Sequence, residues 1–178
     1  FLGEYNNTFK KGLGTSDENS AVVITNLTGK YKTIPISIPN GMIYNLTVPN
    51  ATGTFKSKFE VKKLNQFINP SIFTFSEGIA NVNFNYNVNI IDLRINKPSF
   101  SGDLKVTNAS LNYIPKNLVF KKTDLLLRFT EDALIIDNIQ YKKEASTVFM
   151  KGKIDNFLNL YYHSPEKMVI NWNIYSPY

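Results

Sequence analysis

Side chains able to do nucleophilic, acid–base or metal chemistry are few and scattered in this sequence. It contains no cysteine, and its single histidine, His163, lies in the turn-like run Tyr162-His163-Ser164-Pro165. The lack of cysteine excludes disulfides, thiolate metal ligands and thiol nucleophiles. One histidine in a polar turn cannot complete a Ser/His/Asp or Cys/His set. We therefore predict a non-enzymatic protein with no catalytic residues, metal or cofactor, and we rank a paired-carboxylate glycosidase lowest among the alternatives.

Residues suited to binding are more numerous than residues suited to catalysis. The formal net charge of +6 permits contact with anionic membrane surfaces, but the lysines are scattered along the chain and no basic stripe appears. We therefore predict no nucleic-acid binding. The 13 Phe and 10 Tyr could stack on sugars or other ligands, although most fall in apolar rows, and Tyr161-Tyr162 is the best candidate for an exposed interface patch.

Five Asn-X-Ser/Thr triplets also occur. In a secreted eukaryotic protein they would be glycan acceptors. We favour composition as their cause, because the chain is rich in asparagine. The triplets begin at Asn6, Asn26, Asn45, Asn50 and Asn108.

The elements that carry these residues are predicted by alternation with a period of two. The run from Val82 to Ile90 has an apolar residue at every even position and asparagine at every odd one. Successive side chains of a strand point to opposite faces, so this run predicts a strand with one apolar and one polar face. Asparagine is also a poor helix former, which supports the strand.

Similar apolar rows recur along the chain and predict strands with the same two faces. A further row of Ile34, Ile36 and Ile38 contains Pro35, which predicts an edge or bulged strand. The residues that we expect to line the apolar face are Phe55, Phe59, Val61, Val82, Phe84, Tyr86, Val88, Ile90, Leu104, Val106, Leu118, Phe120, Leu125, Leu127, Phe129, Val148, Met150, Met168, Ile170 and Trp172.

Short turns between the rows predict an antiparallel meander of about ten to twelve strands. Turn residues occur at Pro39-Asn40-Gly41, Pro115-Lys116-Asn117, Thr130-Glu131-Asp132 and Lys142-Lys143-Glu144. Two short helices are predicted, over 60–68 and 155–161. The fold class is therefore mainly β, as a single domain over 1–178 or as a fragment of a longer repetitive sheet.

A weak internal repeat accompanies the strands. Segments that begin at Asn26, Asn50 and Asn108 share the order Asn, small or aliphatic, Thr or Ser, two variable residues, aromatic. Each follows an apolar residue two positions earlier. This spacing predicts a repeated strand–bulge–strand element.

The second half of the chain resembles the AsmA-like (AsmA/TamB-type) envelope proteins, over about residues 98–178. The resemblance begins at Phe100-Ser101-Gly102-Asp103-Leu104-Lys105-Val106-Thr107-Asn108-Ala109-Ser110-Leu111-Asn112-Tyr113-Ile114-Pro115. In that family, a strand that begins with glycine, a bend of the Asn-Ala-Ser type and a Tyr-x-Pro motif precede an amphipathic meander. The runs 118–120, 125–129, 133–139 and 148–154 are similar to its successive strands. The segments 156–161 and 169–177 are similar to its C-terminal region.

The resemblance implies a periplasmic protein that is anchored in the inner membrane. It also implies a curved, taco-like β-sheet whose apolar inner groove takes part in phospholipid transport between the inner and outer membranes and in outer-membrane homeostasis. Phospholipid acyl chains would be the ligand, and other envelope proteins possible partners. Phe1-Leu2-Gly3-Glu4 has no basic or apolar leader, so we expect the anchor to lie outside this sequence in a longer chain.

The alternation alone leaves a second interpretation open. The same rows would form the core of a two-sheet β-sandwich, a structural or adhesive module that binds another envelope protein or a glycan. An apolar sheet face that spans many strands exceeds the few hundred Å² that soluble proteins usually expose. A second sheet, a helix or lipid tails must therefore cover it.

Overall fold

The computed structural model describes residues 2–91, 100–143, 146–157 and 167–177. Their ten strands form one antiparallel sheet in which sequence order is spatial order, with β1 and β10 at the two edges. The predicted mainly β meander is therefore confirmed. The strands are β1 (Leu2–Asn6), β2 (Ala21–Tyr31), β3 (Ile34–Tyr44), β4 (Asn50–Glu60), β5 (Phe73–Asn89), β6 (Ser101–Tyr113), β7 (Leu118–Phe129), β8 (Ala133–Lys143), β9 (Ser146–Asp155) and β10 (Val169–Tyr175). Three 3₁₀ helices accompany them: η1 (Asp17–Asn19), η2 (Val61–Gln66) and η3 (Ile114–Lys116).

The alternation in β5 has the expected structural result. Half-buried Val82, Phe84 and Tyr86 alternate with exposed asparagines at 81, 83 and 85. The strand is therefore two-faced, as its sequence predicts.

Few side chains are fully buried in this sheet. Among the described residues, the largest side chain with under 2% exposure is Ser20. Four of the buried hydrophobic residues are alanines: Ala21, Ala80, Ala109 and Ala133. The ten described strands belong to one sheet rather than to two, so they do not supply the paired sheets that a sandwich core requires.

The chain divides into two compact units. The first comprises Phe1–Ser57 with Asn83–Gly102, and the second comprises Lys58–Val82 with Asp103–Tyr178. In the first unit, the buried side chain of Asn19 organises the connection between β1 and β2. Its Oδ1 accepts from the backbone N–H of Lys10 at 2.6 Å, and its Nδ2 donates to the carbonyl of Gly14 at 2.6 Å.

The second unit contains the clearest hydrophobic cluster. Its buried members are Val61, Ala80, Val106 and Ala109, with Phe59, Leu64, Phe75, Leu104 and Leu125 packed against them. The 3₁₀ helix η2 contributes Val61 and Leu64, so it covers part of the sheet. Asn65 fixes this helix to β5, since its amide accepts from the N–H of Phe75 at 2.8 Å and donates to the Phe75 carbonyl at 2.7 Å.

Asparagines in a left-handed conformation interrupt two of the strands. Asn26 in β2 and Asn108 in β6 have φ of 52° and 51°. Asparagine tolerates this region better than most residues. At Asn108 the backbone N–H donates to Asp124 Oδ1 at 2.8 Å. The predicted repeat therefore marks such irregularities at Asn26 and Asn108, whereas Asn50 begins β4 with no positive φ.

The predicted turn at Pro39-Asn40-Gly41 is wrong, because β3 continues through these residues. Pro39 has no ladder partner between the pairs Leu27–Ile38 and Thr25–Asn40, so its missing N–H costs no ladder bond. Ile34, Ile36 and Ile38 lie in an interior strand that pairs with β2 and β4, and the register shifts between Ser37 and Gly41. The predicted bulge is therefore confirmed, and the alternative prediction of an edge strand is wrong.

The other turns and the predicted helices have mixed outcomes. The turn over 115–117 contains η3 and a left-handed Asn117, and the turn over 130–132 closes through the N–H of Thr130 and the carbonyl of Ala133 at 2.9 Å. β8 continues through Lys143, and Glu144 lies outside the described residues. The helix over 60–68 corresponds to η2. Most of the helix over 155–161, with Tyr161, Tyr162 and His163, also lies outside the described residues.

We predict that a β-branched residue in place of the left-handed Asn108 lowers the stability of the protein. Asn108→Val should destabilise the protein by about 1–2 kcal/mol, because a Cβ-branched residue tolerates this backbone region poorly. Urea unfolding measures the change. Asn108→Gly should retain most of the stability, and Asn112→Val, at an exposed position of β6 without positive φ, is the matched control. Equal losses in the two valine variants would contradict the role of the backbone conformation.

Candidate functional site

A continuous apolar surface runs across β7 to β10 in the second unit. Residues paired directly across antiparallel strands have their side chains on the same face. Three successive rungs of the ladder are almost entirely apolar: Leu125–Ile139–Met150–Ile174, Leu127–Ile136–Gly152–Trp172 and Phe129–Leu134–Ile154–Ile170. We call this surface the β7–β10 apolar face.

The opposite face of the same strands is mixed and largely polar. One rung there reads Arg128–Ile135–Lys153–Asn171. Asp137 accepts hydrogen bonds from Arg128 Nε at 3.1 Å and Nη2 at 2.9 Å. This bidentate pairing raises the pKa of the Arg128 guanidinium. Charged groups are thus held away from the β7–β10 apolar face.

Exposure of the apolar face increases toward its edge. Ile136 is buried, and Leu127 and Met150 are half-buried. On β10, Ile170, Trp172 and Ile174 are 50%, 49% and 62% exposed. Leu125 packs on the buried cluster that includes Val61 of η2. Buried Phe157, which follows β9, meets Phe129 edge to face at 5.5 Å.

The twenty predicted lining residues are distributed over three environments. Fourteen are half-buried in the structure: Phe55, Phe59, Val82, Phe84, Tyr86, Val88, Leu104, Phe120, Leu125, Leu127, Phe129, Val148, Met150 and Met168. Val61, in η2, and Val106, in β6, are buried in one cluster. Ile90, Leu118, Ile170 and Trp172 are exposed.

Some of these residues lie outside the strands that the alternation suggests. Val61 belongs to η2 rather than to a strand, and its burial in the cluster makes it a packing residue. Ile90 follows the end of β5 and Met168 precedes β10. The structure brings Leu125, Leu127, Phe129, Met150, Ile170 and Trp172 together on the β7–β10 apolar face.

Sequence reasoning missed the central strand of this face. Leu134, Ile136 and Ile139 all point to it, although 136 and 139 differ in parity. The register shift between Ile136 and Ile139 adds a residue to β8 and reverses the phase of the alternation. The available signal was the dense aliphatic run 133–139. Alternation with a period of two does not show which of its residues face the apolar side.

Aromatic rings lie over glycines in the first unit. Gly41 and Gly53 are ladder partners on β3 and β4. The hydroxyl of Tyr86 lies 3.6 and 3.1 Å from where their Cβ atoms would be. The Tyr86 hydroxyl therefore occupies space that side chains at these glycines would fill. Burial there raises the pKa of Tyr86 above its ordinary value.

The second unit has a comparable pair at the edge of the sheet. Trp172 faces its ladder partner Gly152, and its Cε3 would lie 3.3 Å from a Cβ on that glycine. The indole thus rests on the backbone of β9 and extends the apolar face to β10.

No other chemistry is evident in the part of the chain that the structure describes. It contains no group of three or more His, Asp or Glu side chains placed to hold a metal ion. Among the same residues, no helix combines the length and the apolar character needed to cross a bilayer.

No family model matches the chain, and no curated protein or solved structure shows significant similarity to it. The resemblance to AsmA-like proteins therefore stays a prediction. The class of protein that the fold defines is an antiparallel β-meander with one apolar face.

We predict that Tyr86 makes stability depend on alkaline pH. Because burial raises the pKa of Tyr86 in the folded protein, the unfolded chain loses the phenolic proton at a lower pH. The contribution of Tyr86 to the free energy of unfolding is therefore constant at neutral pH and falls above pH about 10. Urea midpoints at about pH 8 and about pH 11 should differ less for Tyr86→Phe than for the unmodified protein. Tyr31→Phe, at a 61% exposed tyrosine, is the control and should leave the difference unchanged.

We also predict that Gly152 accepts no side chain. A Cβ there would lie 2.6 Å from the carbonyl oxygen of Asn171, so Gly152→Ala should displace β10 and destabilise the protein by about 1–3 kcal/mol. Gly29→Ala is the matched control, because its Cβ would meet nothing within 4 Å. It should change stability by less than about 0.5 kcal/mol in the same urea experiment. An equally tolerated Gly152→Ala would refute the close approach of β10.

Proposed function

We propose that this protein binds phospholipid acyl chains on the β7–β10 apolar face and acts without catalysis in phospholipid transport between the inner and outer membranes of a cell envelope. The single observation that carries the proposal is the run of three apolar rungs that ends in exposed Ile170, Trp172 and Ile174. Removing such an apolar surface from water is favourable, and an acyl chain can cover it without needing hydrogen bonds.

The energetics favour a chain-like ligand over a specific small molecule. Each methylene transferred from water to an apolar surface contributes about 0.8 kcal/mol. The three rungs offer aliphatic and aromatic groups with little polar patterning, so a tail can bind at several positions along them. A ligand that needs fixed hydrogen bonds would find few partners on this face.

The polar face supports the same assignment. Arg128, Asp137 and Lys153 project to the side opposite the acyl-binding rungs, where Lys153 pairs with Asp155 at 2.7 Å. They therefore do not compete for the hydrophobic ligand. Transport of lipid along a nearly uniform apolar surface requires no reacting side chain.

The cellular setting completes the proposal. A periplasmic domain that belongs to a longer chain anchored in the inner membrane would present this surface to lipids from that membrane. The resemblance of residues 98–178 to AsmA-like proteins supports the location, and the adhesive β-sandwich alternative lacks a second sheet in the described strands.

We predict that lipid retention depends on one face of β10 and not on the other. Ile170→Gln with Ile174→Gln should lower the phospholipid retained per protein several-fold, because both residues lie on the apolar face. Lipid extraction and native mass spectrometry of protein purified in mild detergent measure the bound lipid. Both side chains are at least half exposed, so the fold should tolerate the change.

The matched control places the same residue type on the opposite face of the same strand. Asn171→Gln with Asn173→Gln leaves the apolar rungs intact and changes no charge. Retention in this variant should equal that of the unmodified protein. Lipid-free unmodified protein, or equal retention in both double variants, would overturn the proposed function.

A further inference from the structure

Lysines that are scattered in the sequence gather at one end of the second unit. The meander places η2, η3, the start of β7 and the end of β8 at this end. Ile114 donates its N–H to the carbonyl of Ile72 at 3.0 Å, and the rings of Phe73 and Tyr113 lie 5.1 Å apart, so the neighbouring loops are in contact. We call this region the η3 end.

The η3 end is strongly basic. Lys116, Lys121 and Lys122 are exposed there, and none of the three forms an ion pair with another described residue. The register places Lys121 directly across from Lys142. The exposed ammonium groups of Lys116, Lys121 and Lys122 give this end a positive potential.

Apolar side chains project from the same end. Ile114, Leu118 and Val119 are 45%, 47% and 52% exposed. Phe67 and Ile72 in the adjoining loop are also exposed. Lysines that flank exposed aliphatic and aromatic residues are typical of surfaces that sit in the interface of a bilayer, with the aliphatic groups in the acyl boundary and the ammonium groups among the headgroups.

The opposite end of the same unit carries carboxylates as well as lysines, and Val169 and Ile170 are exposed there. The turn there contains exposed Glu131 and Asp132, and Asp132 accepts the N–H of Asn156 at 2.7 Å through its carbonyl. Asp103 and Asp155 also lie near this end, at the start of β6 and the end of β9. Lys153 and Lys167 lie at this end as well, so cations and carboxylates occur there together, and Lys153 pairs with Asp155 at 2.7 Å.

We propose that the η3 end docks on the surface of an anionic phospholipid bilayer. The inference rests on the proposed function, because it names the membrane surface from which the β7–β10 apolar face would take its lipid. Juxtaposed lysines supply the electrostatic attraction, at about a fivefold gain in affinity for each lysine near an anionic surface. Ile114, Leu118 and Val119 supply the hydrophobic part.

The test measures sedimentation of the whole chain with vesicles of phosphatidylcholine alone or of phosphatidylcholine with phosphatidylglycerol. Binding should require the anionic lipid and should weaken in about 1 M salt, where the Debye length is about 3 Å. Lys116→Gln with Lys121→Gln should lower the affinity about 25-fold. Lys105→Gln with Lys151→Gln removes the same charge from exposed positions outside the η3 end and should have a much smaller effect.

The hydrophobic part has its own matched pair. Leu118→Gln should weaken vesicle binding, whereas Val169→Gln, at a similarly exposed position on the polar face of β10, should not. Equal binding to both vesicle types, or equal losses in the two lysine variants, would overturn the inference. Binding to an acidic protein with none to vesicles would overturn it as well.

The two proposals fail separately. Retained phospholipid without vesicle binding would leave the apolar face as the lipid site and remove the η3 end as its membrane contact. Anionic vesicle binding through the η3 end with no retained phospholipid would leave the η3 end as the membrane contact and remove the apolar face as the lipid site.

Discussion

Each strand of this sheet must keep its apolar side chains on the same side as those of both neighbours, since a slip of one residue moves them all to the other face. Two-residue periodicity alone cannot guarantee this over ten strands. The register shifts in β8 show how the phase is maintained, because the extra residue near Asp137 returns Ile139 to the face of Ile136. In β6 the left-handed Asn108 donates its backbone N–H to Asp124 Oδ1 on β7. The apolar face is therefore a consequence of register.

Cohesion in such a sheet comes from the ladder and from local contacts across it more than from a deep core. The buried cluster that includes Val61 of η2 consists of two valines and two alanines. Elsewhere, aromatic side chains lie against glycines: the Tyr86 hydroxyl at Gly41 and Gly53, and the Trp172 ring at Gly152. Glycine weakens a strand by exposing its backbone, and an aromatic neighbour offsets that loss. These contacts leave large apolar groups half exposed, which is the property that the proposed lipid site uses.

The alternation was sufficient to predict the strands and the antiparallel meander, because it reflects a local geometric rule. It failed where tertiary context decides. Pro39 suggested a turn, yet it lies in β3 at a position without a ladder partner. Val61 continued the apolar row of β4, yet it starts η2 and packs on the sheet. The basic η3 end was also beyond local reasoning, since Lys121 lies across from Lys142 in the ladder only when β7 and β8 pair.

The η3 end and the β7–β10 apolar face belong to one unit, and a ring pair connects them. The rings of Phe120 and Tyr141 meet edge to face at 5.3 Å. Tyr141 follows Ile139 by two residues in β8, so it lies on the same face as the first apolar rung. From Lys121 to Phe129 the strand spans about 27 Å at about 3.3 Å per residue. One leaflet contributes about half of the 30 Å hydrocarbon core of a bilayer. In the proposed site, an acyl chain can thus lie along β7 within the apolar rungs, while the register shift between Lys121 and Asp124 puts Lys121 on the opposite face, with Asp124 and Gln140.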